Sequence, residues 1–253
     1  MTICVAIKCK ALTNKEFKPS LLFASDTQES SMYLKRSVTK IRTIFGGEPK
    51  KHKAKCGFVV ASAGDALVID EVLFDIENLL RDKVDPDEDP SVSLVVWRKE
   101  IGNLAYASYK KYKERNVSNP TFELLLGGAD KFSTILYVSS DGKNRILEKF
   151  GMIGSGRITG GELLLNEFLK DDMIDLEAAH LAALVVTIVG HIDLSVGGEP
   201  DIRICFDRTI WVPKEIAFKE ILKASELRWS LLKSVWWKMQ EDNTVESKLK
   251  KLV

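Results

Sequence analysis

The apolar periodicity of this chain switches repeatedly between strand-like runs and helical spacing, and the resulting elements fall into groups. Short β-branched or aliphatic runs at 3–9 and 21–25 flank a polar stretch, 13–20, and predict a hairpin with a long loop. Runs at 40–45 and 57–62 follow, and the Gly-Gly-Glu-Pro sequence at 46–49 and the basic segment 50–55 between them predict a turn and a solvated loop. Ile69, Val72, Leu73, Ile76, Leu79 and Leu80 then recur at helical spacing until the acidic, proline-bounded segment 85–90 stops them. Ser91 is placed to cap a second helix, whose apolar face carries Leu94, Trp97, Ile101, Leu104, Ala105 and Tyr112. Strands return at 122–127, 134–139 and 145–149, with Ser140-Asp141-Gly142 as a turn. Helices at 159–169 and 175–189 and strands at 201–206 and 209–212 complete the pattern.

Grouped strands alternating with helix pairs argue against a parallel βαβ repeat. Each helix with an apolar stripe and a charged back covers a sheet on one side only. The expectation is an α+β chain: two antiparallel sheets packed face to face with a helix layer outside each, a four-layer αββα sandwich. Residues 2–212 form that domain. Residues 213–253 form a C-terminal helical extension striped by Phe218, Ile221, Leu222, Trp229, Leu232, Trp236 and Met239 and ending in a basic tip at 248–253. The stripe can pack on its own domain or on a neighbouring subunit. The three tryptophans within nine positions (Trp229, Trp236, Trp237) favour the neighbour, since tryptophan is a preferred interface anchor.

Charge and cysteine usage exclude several functions. Lys+Arg number 37 against 36 Asp+Glu, so a net charge of +1 gives the chain as a whole no electrostatic hold on nucleic acid. Cys4, Cys9, Cys56 and Cys205 contain no C-x-x-C pair and read as buried thiols in a reducing compartment. No continuous apolar run approaches the roughly eighteen residues of a bilayer span. The opening Met-Thr-Ile-Cys-Val-Ala-Ile-Lys reads as a strand rather than a signal peptide. A cytoplasmic protein with neither membrane nor nucleic-acid partner is expected.

No metal or cofactor is expected either. His52, His180 and His191 are scattered without a thiol cluster, and His180, in an apolar helix, reads as a satisfied core histidine. The Gly-x-Ser-x-Gly elbow of serine hydrolases is absent. Gly154-Ser-Gly156-Arg-Ile-Thr-Gly160-Gly161 follows a strand and opens a helix, where a phosphate cradle belongs, but Thr159 holds the third glycine position. That loop reads as a tight, close-packed turn. Thr2 is the remaining candidate, because a residue this small permits removal of the initiator methionine. An N-terminal threonine joins a nucleophilic hydroxyl to an α-amine of pKa about 7.7–8.0, well placed to act as its base.

Thr2-Ile-Cys-Val-Ala-Ile-Lys8, Phe23-Ala-Ser-Asp26-Thr27, Ser37-Val-Thr-Lys40-Ile41 and Ala61-Ser-Ala-Gly64-Asp65-Ala66 resemble, in order, the proteasome β-subunit family of N-terminal-nucleophile hydrolases. Leu126-Gly-Gly-Ala-Asp130, Gly154-Ser155-Gly156 and Asp193-Leu-Ser195 fall where that family has its later motifs. Where the family shows Asp-x-x-Ser, this chain is one residue shorter. The run from Asp193 to Ile202, the long tail and the lack of a propeptide resemble the bacterial branch called Anbu, the ancestral β subunit, and the last feature also the HslV-type peptidases.

The resemblance implies the same sandwich and a threonine peptidase acting through an acyl-enzyme on Thr2. Asp26 would anchor Lys40, whose ammonium would lie against the Thr2 hydroxyl. Gly64 would donate its N–H to the oxyanion, and Ser155, Asp193 and Ser195 would surround the Thr2 amine. Glu29, Ser62 and Ala66 would line the substrate pocket. The implied partners are copies of the chain itself, in a ring or spiral, and peptide or unfolded-protein substrates; an ATPase partner stays open. A small-molecule amide hydrolase and a non-catalytic ring subunit are the alternatives on the same fold.

Overall fold

Alternate residues of β1 (Cys4–Thr13) enter different cores, and this divides the molecule into layers. Val5, Ile7 and Cys9, with Ile3 just before them, face a helix layer, whereas Cys4 and Ala6 face a second sheet. β2 (Glu16–Ser25) does the same, with Leu22 and Ala24 towards the helices and Leu21 and Phe23 towards the other sheet. The computed structural model describes residues 2–13, 16–30, 35–46, 56–115 and 121–241, with backbone alone at 29–30, 35–37, 216, 236–237 and 239–241.

The first sheet has the order β10 (Phe150–Ile153), β1, β2, β11 (Asp201–Phe206), β12 (Thr209–Trp211). The second runs β5 (Ile41–Gly46), β6 (Cys56–Gly64), β7 (Phe122–Ala129), β8 (Ser133–Ser139), β9 (Asn144–Leu147). The named strands pair antiparallel throughout, and β3 (Gln28–Ser30) with β4 (Lys35–Ser37) forms a separate ribbon. Helices α1 (Ala66–Lys83) and α2 (Pro90–Glu114) cover the second sheet through Val68, Val72, Ile76, Leu94 and Ile101. Helices α3 (Gly161–Phe168) and α4 (Asp175–Ile192) cover the first through Leu165, Ala182, Val185 and Val189. A third core lies between the sheets, where Leu21 and Phe23 meet Ile41, Val59, Leu125 and Ile135. The expected four-layer sandwich is the observed one.

Several local expectations change. The hairpin is longer than predicted, since pairing continues to Thr13↔Glu16 and the polar stretch from Glu16 onward is strand. Its distal part overhangs the sheet, because β11 pairs with β2 only as far as Ser20, and Pro19 therefore costs the ladder no donor on that side. The predicted strand at 145–149 stops at Leu147 as β9, and an unpredicted strand, β10, follows in the first sheet, pairing Ile153 with Cys4. The third helix starts at Gly161 rather than at 159. The turn and loop expected at 47–55 lie outside the described residues.

Asp89, not Ser91, caps α2: its Oδ1 accepts from the Ser91 N–H at 2.8 Å while Oδ2 accepts from the Lys131 N–H at 3.1 Å. Pro90 at the first helical position costs no hydrogen bond. Asp89→Ala is expected to lower stability by about 1–2 kcal/mol, read as a lower urea midpoint at unchanged m-value. An unchanged midpoint would show that the cap contributes nothing.

The C-terminal helix α5 (Glu215–Glu241) divides into two parts. Its beginning docks on its own domain: Ile221 and Phe218 join the α4 core, the Ser225 hydroxyl reaches the His180 carbonyl at 3.5 Å, and Trp229 stacks on His191. Further on, Leu227, Leu231 and Val235 are exposed, and Leu232, on the expected stripe, is 39% exposed. The Trp236, Trp237 and Met239 side chains lie outside the description. His180 is not a satisfied core histidine; it is half-buried between α4 and α5, its Nδ1 has no hydrogen-bond partner, and burial followed by the nearby Arg228 charge lowers its pKa. α4 itself has the length and hydropathy of a bilayer span, although no continuous apolar run marked it, and its apolar side chains fill the core under the first sheet.

Candidate active site

Thr2 directly precedes Ile3 and β1 and is only 5% exposed, and three segments build the site around it. The first segment is the end of β2. Asp26 is fully buried there, and its carboxylate is the hub of the site. Oδ1 accepts from the Thr2 hydroxyl at 2.5 Å and the Ile3 N–H at 2.9 Å, while Oδ2 accepts from Lys40 Nζ at 2.7 Å and the Gly197 N–H at 3.3 Å. Lys40 also donates to the Gln28 carbonyl at 2.7 Å. The charge on each partner is thus met by the other and by backbone.

Asp26 and Lys40 form an ion pair in which Asp26 also receives Thr2. The Thr2 hydroxyl turns to the carboxylate, and among the described residues no hydrogen bond joins Lys40 to Thr2. The hydroxyl and the ammonium take different oxygens of the same carboxylate.

The second segment is the glycine loop after β10. The Gly156 N–H donates to the Thr2 carbonyl at 3.2 Å. Gly154 has φ +88°, and a Cβ there would stand 2.2 Å from the Thr2 carbonyl oxygen. Only glycine lets the loop lie against Thr2 this closely. The loop is a close-packed turn, and what it packs against is the candidate nucleophile.

The third segment follows α4. Asp193 caps the end of that helix. Its Oδ2 accepts from the Ser155 hydroxyl at 3.2 Å, and its Oδ1 accepts from both the hydroxyl and the N–H of Ser195. Burial opposes the Asp193 charge, but the donors Ser195 and Ser155 outweigh it and hold the carboxyl below its ordinary range. The shorter Asp-x-Ser spacing still lets one carboxylate serve both serines. Residues 194–199 are tied to the end of β2 by bonds from the Thr27 and Gln28 N–H groups to the Gly197 carbonyl, at 3.2 and 2.8 Å.

Gly64 ends β6 two residues beyond Ser62, is exposed, and has φ +125°. A Cβ there would strike the Thr121 carbonyl, so the backbone itself demands glycine. Among the described residues no hydrogen bond joins Gly64 to Thr2. Ser62 is buried, its hydroxyl reaching the Lys40 carbonyl at 3.4 Å, and Ala66 is exposed at the start of α1. Glu29 lies on β3, and its side chain is outside the described residues, as is Met1.

Two groups here escaped the sequence reading. Glu123, on β7, accepts from the Gly154 N–H at 3.1 Å through Oε2 and from the Tyr137 hydroxyl at 2.8 Å through Oε1. It ties the glycine loop to the second sheet. A lone acid inside Phe122-Glu-Leu-Leu-Leu126 was the signal available. Glu123→Ala is expected to speed exchange of the Gly154 amide hydrogen by about tenfold or more, read by nuclear magnetic resonance. Unchanged exchange would mean that other contacts hold the loop. Cys4 also lies beside the site, its thiol directed at the Ser62 carbonyl at 3.4 Å. Burial, and then the Asp26 charge, push that thiol well above its usual range, so it is no thiolate nucleophile near neutrality. Among the described residues no cluster of metal-ligating side chains occurs.

Comparison with solved structures gives the same architecture. Anbu (ancestral beta-subunit) from Yersinia bercovieri matches with a TM-score of 0.71 at 17% identity, over 93% of this chain and 97% of that one. The fold is the Anbu fold. An Anbu Gly-1 mutant from Hyphomicrobium sp. strain MC1 matches at TM-score 0.67 and 18% identity, over 92% and 97% of the two chains. A helical assembly of the Anbu complex from Pseudomonas aeruginosa matches at 0.66 and 17%, over 94% and 96%. No protein-family model and no curated protein matches the sequence. The likeness to Anbu spans α5 as well as the sandwich, given its coverage.

Proposed function

We infer that the chain is a threonine-type peptidase subunit of a proteasome-like homo-oligomer. The observation that carries this reading is the buried chain from the Thr2 hydroxyl through Asp26 to Lys40, with Ser155 and Asp193 alongside. The chemistry needs a free α-amine on Thr2, and hence loss of Met1. Thr2 Oγ1 then bonds to the scissile carbonyl carbon and gives its proton to the α-amine. The collapsing tetrahedral intermediate expels the amine half of the substrate, which takes that proton, and leaves an ester on Thr2. Water, deprotonated by the same amine, hydrolyses the ester. Asp26 holds Oγ1 in place and the Lys40 charge favours the developing alkoxide. The Gly64 N–H serves the oxyanion, and Ser155, Asp193 and Ser195 set the basicity of the amine. Glu29, Ser62 and Ala66 border the substrate site, and the small residues there suit bulky side chains.

Assembly follows from exposed apolar faces. Leu227, Leu231 and Val235 repeat at helical spacing on α5, and Leu67 and Phe74 stand out on α1. Contiguous apolar surface of this kind is uncommon on monomers. The domain of residues 2–212 carries the chemistry, and the exposed half of the 213–253 extension contributes to contact between copies. The four free, buried thiols suit the reducing cytoplasm.

The test is intact mass spectrometry of the purified protein, then treatment with an electrophilic peptide epoxyketone. Loss of the methionine mass and one adduct mapped to Thr2 are expected. A retained Met1, or an adduct elsewhere with Thr2 unmodified, overturns the nucleophile assignment.

A further inference from the structure

The overhang of the β1–β2 hairpin opens a cleft of roughly 390 Å³ at the end of the sandwich away from Thr2. Its origin is the alternation of β1. Cys4 and Ala6 fill the core between the sheets, and the next two residues on that face are Lys8 and Lys10. On β2 the same face continues from Phe23 and Leu21 to Pro19 and Phe17. The opposing sheet is represented at the cleft by Ser133, at the start of β8. Beyond it the cleft is walled by Cys9, Phe17, Pro19 and Leu169, and lysines are set among these apolar residues.

The charge there is unbalanced. Lys18, Lys149 and Lys170 join Lys8 and Lys10 around the cleft, and only Glu148 and Asp171 line it with the opposite sign. Lys10, Lys18 and Lys149 pair with Asp172, Asp207 and Asp171, but these pairs are on the surface and hold their lysines weakly. Lys8 and Lys170 have no ion-pair partner among the described residues. Lys8 is the half-buried one, and burial lowers its pKa against the weaker pull of Glu148. A half-buried ammonium with no acceptor is an unfavourable arrangement that an anion would relieve. Phe17, 61% exposed on the same wall, adds a bare aromatic face.

We propose that this cleft binds a small oligophosphate anion, with Lys8 and Lys170 on the phosphates and Phe17 as the platform for an attached ring. Lysine suits this task as a mobile point charge on phosphate oxygens. A chain of several phosphates matches lysines spread along a cleft better than a single carboxylate does. Nothing in this proposal depends on peptidase chemistry, because the cleft and Thr2 lie at opposite ends of β1.

Isothermal titration of the full chain with inorganic tripolyphosphate and with ATP, both free of magnesium, tests it. Saturable binding below about 100 μM is expected at low salt and should weaken as salt rises. The double variant K8M/K170M keeps the aliphatic stems, so it should stay folded by circular dichroism while losing affinity at least tenfold. Lys223→Met, on α5, should bind as the wild type does. Phe17→Ala distinguishes the two ligands: loss of affinity for ATP alone assigns a nucleotide, and equal retention of both assigns an inorganic chain. No saturable binding of either ligand up to 1 mM, or unchanged affinity in folded K8M/K170M, overturns the proposal.

Discussion

Replacing Asp26 with alanine is expected to cost roughly 3–5 kcal/mol of folding stability and to abolish amide cleavage in the same protein. The carboxylate is fully buried and receives Thr2 Oγ1, Ile3 N–H, Lys40 Nζ and Gly197 N–H. Its removal strands the Lys40 ammonium, whose side chain is 11% exposed, with the Gln28 carbonyl as its remaining acceptor. An unpaired buried charge is the costly outcome, more than the loss of attraction itself. The double variant D26L/K40M should therefore be less destabilised than Asp26→Ala, since it leaves no ion behind. Urea unfolding of the three variants reads this directly. If Asp26→Ala costs less than about 1 kcal/mol, the pair behaves as a surface ion pair and the buried hub described above is wrong.

How far the sequence disclosed all this depends on the range of each interaction. The layers were legible because a two-residue period and a 3.6-residue period are local, and Val68 to Leu80 or Val5 to Cys9 declare their faces without reference to the rest of the chain. Asp26 and Lys40 were legible as members of an ordered set of motifs, not as neighbours. That hydroxyl and lysine would share the carboxylate, one on each oxygen, was not legible, because the sequence does not choose between a carboxylate's two oxygens. The crossing at Leu147–Phe150 was hidden for a related reason. The run Arg145 to Lys149 read as a single strand end, and only the pairing of Ile153 with Cys4 reveals that a second strand, in the other sheet, follows at once. Glu123 was missed because it meets Gly154 across 31 residues. The hairpin overhang was missed because Glu16 to Ser20 is polar, and polarity was read as a loop where it marks strand that has outrun its covering sheet.

Thr2→Ala should separate chemistry from folding, which Asp26→Ala cannot do. Removing the hydroxyl takes one donor from Asp26 and leaves Ile3, Lys40 and Gly197 in place, so no ion is stranded. The stability lost should be that of one hydrogen bond to a charged group, about 1.5–3 kcal/mol, with the fold and the oligomer retained. Cleavage, by contrast, should fall by on the order of 10⁴-fold or more in kcat/KM, as when a nucleophile is deleted from a site whose members act as a unit. Thr2→Ser restores the hydroxyl on a freer side chain and should recover measurable cleavage, together with labelling at residue 2 by the epoxyketone. The two measurements are independent, because urea unfolding reads the Asp26 hub and peptide turnover reads the bond that Oγ1 forms. Wild-type turnover in folded Thr2→Ala would leave the hub intact as architecture and remove Thr2 from the chemistry. Loss of folding in Thr2→Ala at the scale expected for Asp26→Ala would mean that the hydroxyl is a structural donor, and that the buried chain to Lys40 holds the N-terminal strand in place instead of preparing it to react.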